Sequence, residues 1–326
     1  MKSFFNLTRS EVAETVGKRA ASELFQSVYQ NHSPVAAPFE PKLPTIFRSF
    51  QSEDGTERFL LRLEDGEMVE SVIIPGDGRL TFCVSSQVGC ALACTFCLTG
   101  LLGLTRNLTA GEIVSQVVLL ARNGNSSRFS VVLMGMGEPL QNYDNVLKAI
   151  AILNDDHGYN LSSRRITLST AGLVPGLERL AKEPLFPNLS ISLTGATNAQ
   201  RDQLMPINRK YPIEDVLAVV KAMPAQRQKR VMLEYVMIHG VTDSLTDAEK
   251  LSERIGSMQL KVNLIPFNAA PELGFKRSED AAVLRFHAFL LDKGIATFVR
   301  KSRGGDVSGA CGQLMKKSLS LQTERN

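Results

Sequence analysis

Apolar positions change their period along this chain of 326 residues, and each change marks an element. Between residues 10 and 31, Val12, Val16, Ala20, Leu24 and Val28 recur at helical spacing and predict one helix. Pro34, Pro38, Pro41 and Pro44 then form a link, so residues 1–45 read as a small N-terminal helical module and its connection. Phe59, Leu61 and Leu63 mark a strand, Asp65-Gly66 a turn, and Met68 to Ile74 a second strand. This predicts a hairpin leading into a strand that ends near Cys83. Beyond it, apolar runs at 130–134, 165–168, 188–193, 230–237, 261–265 and 297–300 alternate with helical patterns at 109–122, 143–154, 173–182, 213–222, 245–256 and 278–292. Thr109-Ala110-Gly111-Glu112 has the form of a capping box and predicts where the first of these helices begins. Strands that are apolar on both faces and separated by helices argue for parallel β-α-β units. Six or so units suit a partial barrel, an α/β fold with its chemistry at the carboxyl ends of the strands.

Composition narrows the function classes. No apolar run approaches the ~18 residues of a membrane span, and the first residues lack a secretory apolar core. The expectation is a cytoplasmic chain with no membrane partner. Five cysteines without an export signal disfavour a disulfide framework and favour metal or redox chemistry. The net charge of +4 permits a nucleic-acid partner without requiring one. Basic clusters occur at 208–210, 227–230, 300–303 and 316–317; those near the predicted site could hold phosphates. His32, His157, His239 and His287 show no ligand spacing and read as surface or packed residues.

The chemistry concentrates at Cys90-Ala-Leu-Ala-Cys94-Thr-Phe-Cys97. Three thiols spaced C-x3-C-x2-C can supply three ligands to a four-iron cluster and leave one iron open. The alternative is a structural zinc knot completed by Cys83. One β-α unit later comes Gly135-Met136-Gly137-Glu138-Pro139, where glycines let a ligand approach the backbone and Glu138 can accept from an ammonium group.

The run from Cys83 to Cys97, together with this strand end, resembles the radical S-adenosylmethionine (SAM) superfamily, within it the RlmN/Cfr family of RNA adenine methyltransferases. Leu168-Ser169-Thr170, Leu264-Ile265-Pro266-Phe267-Asn268 and Ala310-Cys311-Gly312-Gln313-Leu314 carry the same resemblance, which covers residues 50 to 316. It implies a partial (β/α)6 radical-SAM barrel at 46–326, with a β-hairpin extension and a C-terminal loop bearing a catalytic cysteine. It also implies that Cys90, Cys94 and Cys97 bind a 4Fe-4S cluster, and that Gly137, Glu138, Ser169, Ser192, Leu193, Thr194 and Asn268 contact SAM. The family has histidine in a Ser-Leu-His-Ala stretch where this chain has Ser192-Leu193-Thr194-Gly195.

An adenine ring C–H bond is not acidic, so ordinary methyl transfer has no purchase on it, and the cofactor must supply the difficult step. In the family scheme Cys311 is first methylated, and a 5′-deoxyadenosyl radical from a second SAM activates that methyl group for addition to the ring. Glu70 accepts the ring proton, and Cys83 forms a disulfide with Cys311 as the product leaves. An external electron donor and a reductant for that disulfide are then required. The contexts around 264–268 and 300–304 are closer to the carbon-2 members, which act on ribosomal or transfer RNA, than to the carbon-8 members. The N-terminal module is shorter than the family's usual RNA-positioning domain. The expected protein is a monomeric enzyme; the competing class is a non-catalytic iron–sulfur RNA-binding or sensor protein.

Overall fold

The computed structural model describes residues 2–124 and 128–314. At the start, β1 (Lys2–Ser3) pairs in parallel with β2 (Phe39–Glu40), enclosing α1 (Arg9–Val16), α2 (Lys18–Phe25) and a π-turn at Gln26–Gln30. The single helix expected over 10–31 is therefore broken. Gly17, at φ +84°, ends α1 and starts α2, a backbone state that apolar spacing does not reveal. Phe4, Phe25, Tyr29 and Phe39 pack ring against ring inside the module, and Tyr29 also meets Tyr159 of the main body. Arg9 grips Asp155 (2.9 Å) and Asp156 (2.8 Å), and Lys148 grips Glu11 (2.7 Å), so the module is docked by charge as well as by rings.

One ten-stranded sheet organises the rest. Its antiparallel side comprises β3 (Thr45–Gln51), β4 (Glu57–Arg62) and β5 (Met68–Gly76), which joins β6 (Arg79–Cys83). The extension thus has one strand more than the expected hairpin. β3 escapes pattern reading because nearly every residue in it is exposed and it has no alternating face. The Asp65-Gly66 turn is present, with Gly66 at φ +89° and the Glu67 N–H donating to Asp65 (3.0 Å).

A small antiparallel pair, β7 (Gln87–Cys90) and β8 (Gly103–Asn107), frames the cysteine loop. Next come α3 (Ala110–Gly124), β9 (Phe129–Leu133), α4 (Tyr143–Asn154), β10 (Ile166–Thr170), α5 (Val174–Leu180), β11 (Asn188–Ser192), α6 (Asn198–Leu204), α7 (Ile213–Ala222) and the single turn α8 (Ala225–Gln228). The chain continues through β12 (Val231–Met237), α9 (Leu245–Ile255), β13 (Lys261–Pro266), α10 (Asp280–Asp292) and β14 (Thr297–Val299). Strands β6 and β9 to β14 run parallel in chain order. This is a (β/α)6 partial barrel with β14 added. Among the described residues, β14 at one edge does not pair with β3 at the other. The capping box holds: the Thr109 N–H donates to Glu112 (2.8 Å) and the Glu112 N–H to the Thr109 hydroxyl (3.2 Å).

The pleat decides what faces the barrel interior. Directly paired residues share a face, so Phe50, Arg58, Val72 and Cys83 form one row across β3–β6. Arg48, Leu60 and Glu70 form the next row, beyond the carboxyl end of β6. Ser71 faces the other way, and its hydroxyl donates to Gln116 of α3 (2.8 Å). The extension therefore rises past the mouth of the barrel as a wall. No helix among the described residues is long and apolar enough to cross a membrane.

Candidate active site at the carboxyl ends of the strands

Gln116 fixes the approach to the cysteine loop. Its amide accepts from the Ser85 N–H (2.9 Å) and donates to the Ser85 carbonyl (3.1 Å), while the Ser85 hydroxyl donates to the Glu70 carbonyl (2.7 Å). Gly135 packs so closely that a Cβ there would lie 2.7 Å from the Val84 backbone. The loop itself turns through Ala93, which adopts φ +50°, and Gly100 lies against it, where a Cβ would meet the Cys94 carbonyl at 2.9 Å. The Thr95 N–H donates to Leu204 O (3.0 Å), tying the loop to the end of α6.

Cys90, Cys94 and Cys97 line one cavity of about 180 Å³ together with Gly137, Glu138, Ser169, Ser192, Asn268, Arg300 and Cys311. All five cysteines are free thiols. Burial raises Cys90 to about 11 and pushes Cys94 well above the usual thiol range, and each feels the charge of neighbouring thiols. Such a set holds protons until a metal exchanges them for positive charge. Three thiolates on one tetrahedral zinc would lie about 3.8 Å apart, given Zn–S near 2.3 Å. Among the described residues, only the partly exposed Asp155–Asp156–His157 group brings three metal-ligand atoms within 4.8 Å of one another. The three cysteines share one cavity wall with the strand ends, an arrangement that suits a ligand set leaving a metal position open.

Glu138 is buried, and burial pushes it up to about 7 although N–H groups favour its charged form. Its two oxygens accept from Leu140 N (3.0 Å) and Ala171 N (2.7 Å), bracing two strand ends. Gly137, at φ +101°, touches Gln87: an added Cβ would come within 2.6 Å of that side chain. Leu193 and Thr194 do not line the cavity. Both are fully buried, Thr194 adopts φ +58°, and its hydroxyl has no partner among the described residues. Their contribution is to the backbone: the Leu193 carbonyl accepts from Arg201 Nε (3.2 Å).

The loop bearing Cys311 reaches the same place. The Leu98 N–H donates to Gly312 O (2.8 Å), and Asn268 Nδ2 donates to Cys311 O (3.1 Å). A second cavity of about 200 Å³ adjoins the first and contains Cys83, Cys311, Arg300 and Asn268. Burial raises Cys83 to about 12. Glu70 enters neither cavity; it is wholly buried and ion-paired to Arg58 (2.5 Å).

Sequence reading missed three participants. Arg300, seen only as part of a basic run, hydrogen-bonds Cys311 and sits beside Cys83 and Glu234; these charges raise it above the usual guanidinium range. Glu234 lines the first cavity and accepts from Ser190 (2.9 Å) and Asn263 (2.7 Å). Arg201 bonds the carbonyls of Ala171 and Leu193, joining two strand ends. The capping pattern Thr197-x-x-Gln200, which starts its helix, was the available signal. Of the basic clusters, 227–230 is half-exposed but engaged within the fold: Arg227 donates to Ala181 O and Glu183 O (2.9 Å) and Arg230 to Ser163 O (2.9 Å). Lys316-Lys317 lies outside the described residues.

Comparison with known proteins meets this geometry. Residues 84–251 match the radical SAM superfamily model. A dual-specificity RNA methyltransferase RlmN from Nitratiruptor sp. is 41% identical over 98% of this chain and 99% of its own. The chain belongs to the RlmN family of radical SAM methyltransferases. The RlmN of Geobacter sulfurreducens is 49% identical over 83% of this chain and 74% of its own. A radical SAM methyltransferase from Sphaerobacter thermophilus superposes with a TM-score of 0.91 at 39% identity, covering 96% of this chain and 99% of that one. RlmN membership brings with it the 4Fe-4S cluster and SAM as cofactors, which the trio of thiols and the glycine-lined strand end suit.

Proposed function

We propose that this enzyme methylates carbon 2 of an adenine in ribosomal or transfer RNA. In this reading Cys90, Cys94 and Cys97 hold the cluster, and Gly137, Glu138, Ser169, Ser192 and Asn268 hold SAM, with Leu193 and Thr194 shaping the strand end behind them. One observation carries it: the cysteine loop and Cys311, over two hundred residues apart in sequence, line one cavity with the strand ends. A structural or sensing cluster has no need of that convergence. When bound, the cluster supplies the electron that cleaves SAM and opens a route to an unreactive C–H bond.

The chain's own groups do the rest. Arg300 holds the Cys311 sulfur by a hydrogen bond and so orients it as the methyl acceptor. Cys83, kept protonated by burial, stays silent as a competing nucleophile. As the bond from the Cys311 sulfur to the transferred carbon breaks, its electron pair leaves with the product; Cys83 gives up its proton and bonds that sulfur, and an external dithiol must return an electron pair to the resulting disulfide. Glu70 stands one row above Cys83 on the same face, about 7 Å along the strand, and takes the ring proton as general base once bound RNA opens the Arg58–Glu70 pair to the cavity. The cavity lies below the wall of β3–β5, so a base buried in a helix must swing out to enter. A cytoplasmic monomer with an external electron donor suffices, residues 1–45 serving as a docked module beside the core at 46–326.

The test is anaerobic turnover of reconstituted protein with cellular RNA, followed by digestion to nucleosides. New methyl on adenine carbon 2 is expected. Methyl on carbon 8, or no 5′-deoxyadenosine, overturns the reading.

A further inference from the structure

The wall of β3–β5 carries a second feature on its inner face. Arg62 pairs with Met68, one row above Glu70 and two above Cys83. Its guanidinium lies 4.4 Å from the centroid of the Phe47 ring, and Phe47 is the bulged residue of β3, 37% exposed. Below, Arg58 stacks on Phe50 (4.1 Å), with Arg48 at 6.0 Å from the same ring. Arginine and phenylalanine thus alternate up this face. Arg48 and Arg62 are exposed and form no ion pair among the described residues, whereas the nearby Arg106 and Lys42 are matched to Asp65, Glu112 and Glu64. The buried Arg58 likewise leaves Nε and Nη2 without hydrogen bonds.

An exposed ring topped by an unmatched guanidinium group, as at Phe47 and Arg62, is what an unpaired nucleotide strand requires. Bases stack on the planar pairs, and phosphates find cations with no carboxylate to displace. The face runs without a break into the rows of Glu70 and Cys83. We propose that the inner face of β3–β4 is an RNA track, binding unpaired nucleotides next to the target adenine with a base on the Phe47–Arg62 pair and phosphates on Arg48 and Arg62. This rests on the RNA reading above and adds where the strand lies. Edge protection alone accounts for a bulge and an arginine on β3, but not for an exposed phenylalanine under an arginine of the neighbouring strand.

The probe is a fluorescent RNA hairpin with an adenine in its unpaired loop, titrated onto the wild-type holoenzyme and onto Phe47→Ala/Arg62→Ala across a salt series. The variant should bind at least about ten-fold more weakly, as loss of a stacked base and a cation implies. Its log–log salt slope should fall by about 0.7 for each phosphate contact removed. Cleavage of SAM without RNA should be unchanged. Equal affinity in the variant overturns the track, whether or not the variant self-associates through its edge. A wild type that neither binds nor methylates RNA overturns the functional reading instead. Should the alanine variant misfold, Phe47→Leu/Arg62→Gln keeps the bulk, removes stacking and charge, and gives the same comparison.

Discussion

The Arg58–Glu70 pair offers the sharpest test of how this site is built. Both side chains have no exposed surface and meet at 2.5 Å, in the rows that adjoin Cys83. At an effective dielectric near 20, two unit charges about 4 Å apart attract by about 4 kcal/mol. That attraction offsets a desolvation penalty of several kcal/mol per ion. Replacing Arg58 with Met removes the cation, leaves the carboxylate buried, and forfeits the stack on Phe50 at 4.1 Å. The expected cost is about 3–5 kcal/mol for the stranded charge, plus about 1 kcal/mol for the stack. Replacing both partners, Arg58→Met/Glu70→Leu, removes the stranded charge as well. The double variant should recover at least about 2 kcal/mol relative to Arg58→Met. The assay is urea denaturation of the cluster-free protein under thiol reductant, followed by circular dichroism for the wild type, both single variants and the pair. If the double variant unfolds at the same midpoint as Arg58→Met, Glu70 carries no desolvation cost in the folded chain. The account of a dry, charge-paired base would then be wrong.

Other outcomes follow from the same geometry. Because burial raises Glu138 to about 7, the cluster-free fold should be most stable, as far as this group is concerned, below its unfolded value near 4.3. It should lose on the order of 3 kcal/mol as pH climbs through 7. Glu138→Gln should flatten that dependence in urea melts at pH 5 and 8, and parallel profiles for the two proteins would contradict it. Gly137→Ala forces a Cβ to 2.6 Å from the Gln87 side chain at φ +101°, so its melting midpoint should drop by the equivalent of at least about 1–3 kcal/mol, and SAM affinity should drop with it. Cys311→Ala should abolish RNA methylation while iron and sulfide content and the visible spectrum stay unchanged; retained methyl transfer would rule out the carrier role.

The parallel half of the fold was readable because β9 to β13 are short strands with buried apolar residues set between helices, and their spans fall within a residue or two of the expected ones. α6 was not, since Asn198–Leu204 has no apolar stripe and announces itself only by its cap. The cysteine trio declares itself by spacing alone. Glu70 does not: its burial and its partner follow from the register of β4 on β5, a long-range property that no local pattern contains. Arg300 was hidden for the same reason. A run of charged residues looks solvated until the fold turns one of them inward against Cys311.

The sheet that leaves β14 and β3 unjoined has a consequence for the size of its reactants. A fully closed cylinder admits only what drops in from above, and so selects small molecules. A cylinder slit along its length lets a polymer lie across it sideways, offering one monomer to the interior while the remainder never leaves solvent.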